Sequence, residues 1–126
     1  MFVLKVNIMN IETHQSGETR IAEVISDDVL IKNPEEGLQL LADLYYQNFD
    51  KIIIKEQNIC AEFFDLKTGI AGEILQKFSN YRVSLAIIGD FGKYESKSMK
   101  DFIYESNKGK RVNFVGSLEE ALAKLP

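Results

Sequence analysis

The run Ile52-Ile53-Ile54 constrains the fold of this chain more than any other stretch. Three consecutive β-branched residues lose little χ1 freedom in an extended chain. A segment that is apolar on both faces is typical of a strand in a parallel sheet, with helices above and below it. The polar segment Lys55–Asn58 follows at once. We expect it at the carboxyl end of this strand, where open α/β sheets carry their functional loops.

The first 25 residues predict a β-hairpin at the edge of the sheet. Apolar and polar residues alternate over residues 2–9, which indicates a strand with its even positions buried. These even positions are Phe2, Leu4, Val6 and Ile8. The polar run Asn10–Thr19, which contains Ser16-Gly17, is predicted as a turn, and Arg20–Ile25 is predicted as the second strand.

Repeated strand–helix units are predicted after the hairpin. Val83–Ile88 and Val112–Val115 are apolar enough for further buried strands. Helix starts are indicated by Asn33, which can cap free amides, and by capping boxes at Ser98–Asp101 and Ser117–Glu120. The element order predicts an α/β fold, with a mixed β-sheet, an N-terminal β-hairpin followed by β-α units, and about four main helices.

The segment Ala61–Phe78 leaves two interpretations open. A continuous helix would carry Gly69 and Gly72 on its exposed face, where they form a flat shoulder for a partner's backbone or side chain. The alternative is a break at Thr68-Gly69, with the helix starting near that point. Lys67 favours the break, because a continuous helix would aim this lysine into its apolar half.

Composition excludes several classes of function. The length of 126 residues predicts one domain over residues 1–126. The net charge of −4 argues against a nucleic-acid module, and the basic cluster Lys108–Arg111 is typical of a helix C-terminus. No apolar run approaches the roughly 20 residues that span a bilayer, and the single Cys60 fits a reducing compartment. We therefore expect a cytoplasmic protein without nucleic-acid or membrane partners.

Motifs for catalysis and metal binding are not evident in the sequence. The sole histidine, His14, and the sole cysteine, Cys60, are too few soft ligands for a zinc site. The letters D-F-G within Gly89–Gly92 lack the catalytic-loop and glycine-rich-loop motifs of a kinase. We therefore expect no catalytic residue, no metal and no cofactor.

An alternative function is indicated by polar residues at two strand ends, in the loops Lys55–Asn58 and Gly89–Tyr94. These residues are Lys55, Glu56, Asn58, Asp90 and Tyr94. Because the carboxyl ends of parallel strands meet at one edge of a sheet, they are expected to surround a pocket. This alternative predicts a small-molecule or phosphate binder, or a minor enzyme.

The segment Asp65–Gly72, with the sequence DLKTGIAG, resembles the motif of STAS domains. This is the fold of anti-sigma-factor antagonists and of the cytoplasmic ends of sulfate transporters. In that family a strand leads into a loop of the form D-S-[ST]-G-[ILV]-G, which an amphipathic helix follows. A partner kinase phosphorylates the Ser or Thr before the glycine, which controls partner binding. The resemblance implies a STAS-like fold, with Thr68 as the phosphoacceptor and Asp65 as its acidic neighbour.

A second resemblance covers nearly the whole chain. The segments Ala61–Tyr81 and Lys97–Gly109 resemble a family of small bacterial proteins recorded only as a domain of unknown function. This resemblance brings no established activity.

The resulting prediction is a non-enzymatic regulatory module that binds a protein partner through the loop and helix over residues 58–72. Its predicted partner-binding residues are Asn58, Phe63, Phe64, Asp65, Gly69 and Gly72, with a phosphorylation switch at Thr68. Phe63 and Phe64 are adjacent and cannot both point the same way, so either one of them is exposed or both are core. A shallow surface around these phenylalanines and the glycines would favour this prediction, and a polar pocket at the strand ends would favour the alternative.

Overall fold

A mixed five-stranded sheet forms the centre of the computed structural model, which describes residues 9–125. Its strands are β1 (Asn10–Ser16), β2 (Thr19–Ile25), β3 (Lys51–Lys55), β4 (Ser84–Ile88) and β5 (Val112–Val115). They lie in the order β1-β2-β3-β4-β5. β1 pairs antiparallel with β2, and every later pair is parallel. The predicted mixed sheet with an N-terminal hairpin is therefore confirmed.

Four α-helices belong to the described part of the chain: α1 (Pro34–Tyr45), α2 (Ile70–Tyr81), α3 (Lys97–Lys108) and α4 (Leu118–Lys124). Helices α1, α2 and α3 pack on the sheet face that carries Ile52 and Ile54. On the other face Ile53 packs with Ala121 and Leu125, at α4 and its C-cap. All three isoleucines of β3 are buried, so the α/β class, the four helices and the doubly covered strand agree with the prediction. Among residues 9–125, no helix is long and apolar enough to cross a membrane.

The N-terminal hairpin is present and its predicted second strand, Arg20–Ile25, agrees with β2, but the turn predicted over Asn10–Thr19 is wrong. Residues Asn10–Ser16 form strand β1, which pairs with β2 in a register that runs from Asn10 opposite Ile25 to Ser16 opposite Thr19. Only Gly17 and Glu18 remain in the loop, and the positive φ of 60° at Gly17 suits a two-residue hairpin turn. β1 is polar because most of its side chains are exposed, and this polarity made it look like a turn. The strand predicted over residues 2–9 falls, apart from Met9, outside the described residues.

Two of the three predicted helix caps are confirmed. The Asn33 side chain accepts a hydrogen bond from the Glu36 N–H, and the Ser117 hydroxyl accepts one from the Glu120 N–H. The capping box predicted at Ser98–Asp101 is wrong, because Ser96 caps α3 and Ser98 lies inside its first turn. The Ser96 hydroxyl accepts from the N–H of Met99, and the buried side chain of Met99 fixes this first turn against the core.

The segment before α2 is broken, so the continuous helix is the wrong interpretation. Residues Ala61–Phe64 and Leu66–Thr68 form separate 3₁₀ turns, and α2 begins only at Ile70. Gly69 between them has a φ of 77°, in the left-handed region that glycine adopts without steric cost. Lys67 is exposed, as the argument for the break required.

Candidate functional site

Asn58 is a buried structural residue and not part of a binding surface, which corrects its predicted role. Its side-chain amide donates hydrogen bonds of 2.8 Å to the carbonyls of Ser26 and Asp28. Its side-chain oxygen lies 3.4 Å from the N–H of Lys55, and its backbone carbonyl accepts from Ile31. Asn58 therefore ties the loop after β2 to the end of β3, and its side chain has no exposed surface to offer a partner.

Phe63 and Phe64 are also buried, so the interpretation that both are core is the correct one. Phe63 is 1% exposed and Phe64 is 8% exposed. Both belong to the main core cluster, and the Phe64 ring also contacts Phe91 and Tyr94 of the loop after β4. The Phe64 ring stacks on Tyr94 with centroids 5.2 Å apart. Neither phenylalanine is therefore available as an exposed anchor for a protein partner.

The other predicted partner-binding residues lie together on the surface where α2 begins. Asp65, Thr68, Gly69 and Gly72 are all exposed, and we call them the α2 surface. The Asp65 carboxylate accepts from the N–H of Lys67 at 3.2 Å, which shapes the turn before the helix. This patch retains the glycines and the threonine of the prediction but lacks its aromatic residues.

Thr68 organises the entry to α2 through its hydroxyl. The hydroxyl oxygen lies 2.8 Å from the carbonyl oxygens of both Glu62 and Asp65, which share its single proton. It also accepts a hydrogen bond of 3.2 Å from the N–H of Ile70, the first residue of α2. The side chain therefore lies directly before the helix N-terminus, where the free N–H groups favour negative charge.

Gly72 has no packing reason to be a glycine among the described residues. A Cβ atom built there would meet none of their atoms within 4 Å, and its φ does not lie in the left-handed region. Other glycines of the chain differ. A Cβ on Gly37 would lie 3.2 Å from the Cγ1 of Ile74, and one on Gly89 would lie 2.6 Å from the Oε1 of Glu56.

A second polar cluster lies at the carboxyl ends of β3 and β4, around the carboxylate of Glu56. The Tyr94 hydroxyl donates to it, the Nζ of Lys93 lies 2.9 Å away, and the N–H of Asp90 donates at 3.3 Å. Burial by itself raises the pKa of Glu56, but these three donors and the Lys93 charge outweigh it, so the pKa lies below its ordinary value. Burial and the Glu56 carboxylate raise the pKa of the Tyr94 hydroxyl.

A pocket of about 280 Å³ opens beside this carboxylate. It is lined by Glu56, Gln57, Ile59, Ala61, Phe64, Lys93 and Tyr94. Of the predicted ligand residues, Glu56 and Tyr94 lie in this lining, whereas Lys55 and Asn58 do not. Asp90 contributes its backbone N–H to Glu56, and its carboxylate accepts from the N–H of Gly92.

Five lining residues were not among the predicted ligand residues: Gln57, Ile59, Ala61, Phe64 and Lys93. Gln57 and Lys93 do belong to the two loops that were predicted to form the pocket. The position of Lys93 directly before Tyr94, in the loop after β4, is the signal that could have indicated it. Phe64 reaches the pocket through a 3₁₀ turn, which no periodicity in the sequence indicates. Within residues 9–125, no group of three or more His, Cys, Asp or Glu side chains could hold a metal ion.

Comparison with known proteins identifies a family but no activity. A family model described as "Domain of unknown function (DUF4180)" matches residues 16–125. The match runs from the end of β1 to the end of α4, and so includes both the α2 surface and the pocket beside Glu56. No curated protein matches the chain.

Proposed function

We propose that this chain, which belongs to the DUF4180 family, is a non-enzymatic regulatory module that binds a protein partner through the α2 surface. The observation that carries the proposal is Gly72, an exposed glycine in the first turn of α2 with open space above its Cα. A helical glycine costs up to about 1 kcal/mol relative to alanine. None of the described residues packs against Gly72, and in this proposal its bare Cα lets a partner approach the helix closely.

Thr68 is the switch in this proposal, as a phosphoacceptor. A phosphate there adds about −1.5 to −2 charges, which the N-terminus of α2 favours. Phosphorylation also removes the hydroxyl proton that now bonds to the carbonyls of Glu62 and Asp65. The turns before α2 then lose the donor that holds them, and the α2 surface changes its shape and charge together.

The resemblance to STAS domains supports this proposal. The break at Gly69 leaves Thr68 close before helix α2. In the STAS motif the phosphorylated residue likewise precedes a glycine and a helix. We extend the proposal to a STAS-like fold and to work in the bacterial cytoplasm, with a protein as the partner rather than nucleic acid or a membrane. The net charge of −4 supports the exclusion of nucleic acid.

The proposal is tested by blocking the α2 surface with a side chain that leaves the fold intact. Wild type, Gly72→Arg and Gly109→Arg are used as baits in a lysate of the native host, and circular dichroism checks that all three are folded. Gly109 is a matched control, since it is exposed, has an ordinary negative φ and lies at the end of α3. We expect wild type and Gly109→Arg to retain the same protein and Gly72→Arg to lose it.

The retained protein is then identified by mass spectrometry, purified and titrated against each variant. Equal affinity for Gly72→Arg and Gly109→Arg would contradict the proposal. The switch is tested separately, by peptide mass spectrometry of Thr68 in protein isolated from the host, with Thr68→Val as the control for site assignment. Absence of phosphate at Thr68 under every growth condition would remove the switch but leave the binding surface.

A further inference from the structure

We propose that the pocket beside Glu56 binds an aliphatic ammonium ion, whose cation position the chain's own Lys93 occupies in the ligand-free protein. This site is separate from the α2 surface and does not depend on the function proposed for it. Three features of the site favour this ligand: the contacts that hold Glu56, the groups around the Lys93 ammonium, and the pocket beside them.

The Glu56 carboxylate is held by two hydrogen bonds from the loop after β4 and is largely shielded from solvent. The Tyr94 hydroxyl and the backbone N–H of Asp90 both donate to it, and its side chain is only 15% exposed. Gly89 lies so close that a Cβ atom there would come within 2.6 Å of the carboxylate and 2.7 Å of the Glu56 Cβ. The end of β4 therefore has a bare Cα where the Glu56 side chain lies against it.

The Lys93 ammonium marks a position that suits a cation. Its Nζ lies 2.9 Å from the Glu56 carboxylate and 5.4 Å from the centre of the Tyr94 ring. A carboxylate together with an aromatic ring is the combination that recognises organic ammonium groups. The Tyr94 ring is itself held by the stacked ring of Phe64.

Lys93 is the replaceable member of this arrangement. Its side chain is 55% exposed, whereas the two other donors to Glu56 belong to a partly buried ring and to the backbone. An exposed ammonium that pairs with a carboxylate gains little net stability from the pair, so a ligand amine can take its place. The alkyl chain of that amine then lies in the pocket, against Ile59, Ala61 and Phe64.

The same geometry favours an ammonium ion over the phosphate ligand considered from the sequence. The acidic group that lines the pocket is the Glu56 carboxylate, and hydrogen bonding keeps it ionised. A phosphate in this space would face that negative charge and would have only the exposed Lys93 as a charged partner among the lining residues. An ammonium ion meets the opposite charge in the same position.

The experiment compares variants of the full chain by isothermal titration calorimetry with two probes. The probes are 1,4-diaminobutane, which represents a free amine, and Nα-acetyl-lysine methylamide, which represents a lysine side chain on a peptide. The variants are Lys93→Ala and a matched control, Lys97→Ala, which removes another exposed lysine away from the pocket. We expect Lys93→Ala to bind at least one probe about fivefold more tightly than wild type, since it removes the internal competitor. Lys97→Ala should bind like wild type.

Two further variants make the result specific to the pocket. Adding Glu56→Gln to Lys93→Ala should abolish binding, because the carboxylate is the partner of the ammonium. Adding Ala61→Trp should also abolish it, since the ring fills the space while Glu56 is left in place. This second variant keeps the test valid if Glu56→Gln lowers stability. Binding by Lys93→Ala that is no tighter than by Lys97→Ala, or that persists in Ala61→Trp, would overturn the proposal.

Discussion

The side-chain amide of Asn107 pairs with both backbone groups of Phe114. Its Oδ1 accepts from the Phe114 N–H at 2.7 Å, and its Nδ2 donates to the Phe114 carbonyl at 3.1 Å. Phe114 lies in β5, the last strand in the order of the described sheet. One side chain of α3 thus supplies the donor and the acceptor that a neighbouring strand would otherwise supply.

Asn107→Ala is expected to weaken the fold and to expose this sheet edge. The change leaves the N–H and carbonyl of Phe114 without their partner, which should lower the free energy of unfolding by about 1–2 kcal/mol. It should also favour self-association at high concentration, because unpaired strand edges template pairing between chains. Urea denaturation and analytical ultracentrifugation measure the two effects. Glu105→Ala, on the exposed side of α3, is the control and should change neither.

Gly72→Ala and Gly89→Ala are expected to change stability in opposite directions. Alanine at Gly72 meets open space and improves helix propensity, so the free energy of unfolding should rise by about 0.5–1 kcal/mol. Alanine at Gly89 collides with the Glu56 side chain and should lower it by about 1–3 kcal/mol. Urea denaturation of both variants checks the pair. A destabilised Gly72→Ala variant would show that the glycine serves the fold after all.

The stability of the protein should depend on acid pH through Glu56. The pKa of this carboxyl is lower in the folded state than its ordinary value of 4.5, so its ionised form stabilises the fold. That contribution is complete above the unfolded pKa and is lost as the pH falls through the lower folded pKa. The difference in free energy of unfolding between wild type and Glu56→Gln should therefore shrink from about pH 6 to about pH 3. A difference that stays constant over this range would contradict the assignment.

Asn58→Ala is expected to be among the most damaging polar substitutions in the chain. It removes the buried side chain that donates to the carbonyls of Ser26 and Asp28, which should cost about 1–3 kcal/mol of unfolding free energy. Gln57→Ala, at the exposed neighbouring position, is the matched control and should cost much less. Thermal and urea denaturation measure both. Equal losses in the two variants would show that the Asn58 hydrogen bonds contribute little.

The parts of the fold that were predictable from sequence are those where local and long-range preferences agree. The β-branched side chains of Ile52-Ile53-Ile54 favour an extended chain, and their apolar character favours a buried strand. The structure has both, since all three isoleucines are buried in β3. Asn33 and Ser117 each satisfy helix N–H groups in the way their residue types indicate. Lys67 gave the correct interpretation of the break before α2, because a buried lysine would have been costly.

The errors arose where tertiary contacts override local polarity. Residues Asn10–Ser16 are polar because β1 is an exposed strand, and only its pairing with β2 distinguishes it from a loop. Asn58 lies in a polar run, yet it is completely buried. Its side chain hydrogen-bonds to the carbonyls of Ser26 and Asp28, about 30 residues earlier in the chain. Phe63 and Phe64 were wrong as surface anchors for a related reason: Phe63 packs in the core, and Tyr94 of the loop after β4 stacks on Phe64. None of these contacts has a signal in the local sequence.

The strand order has a consequence for how the chain acquires its structure during synthesis. Each parallel strand lies beside the strand made just before it, so every unit can dock on a template that has already left the ribosome. The second face of the sheet is completed later, because Ile53 and Ala86 pack against Ala121 and Leu125, which are synthesised last among these residues. A nascent chain that has not yet reached residues 118–125 therefore lacks the helix that packs on this apolar strip, and the strip gains that cover only at the last stage of synthesis.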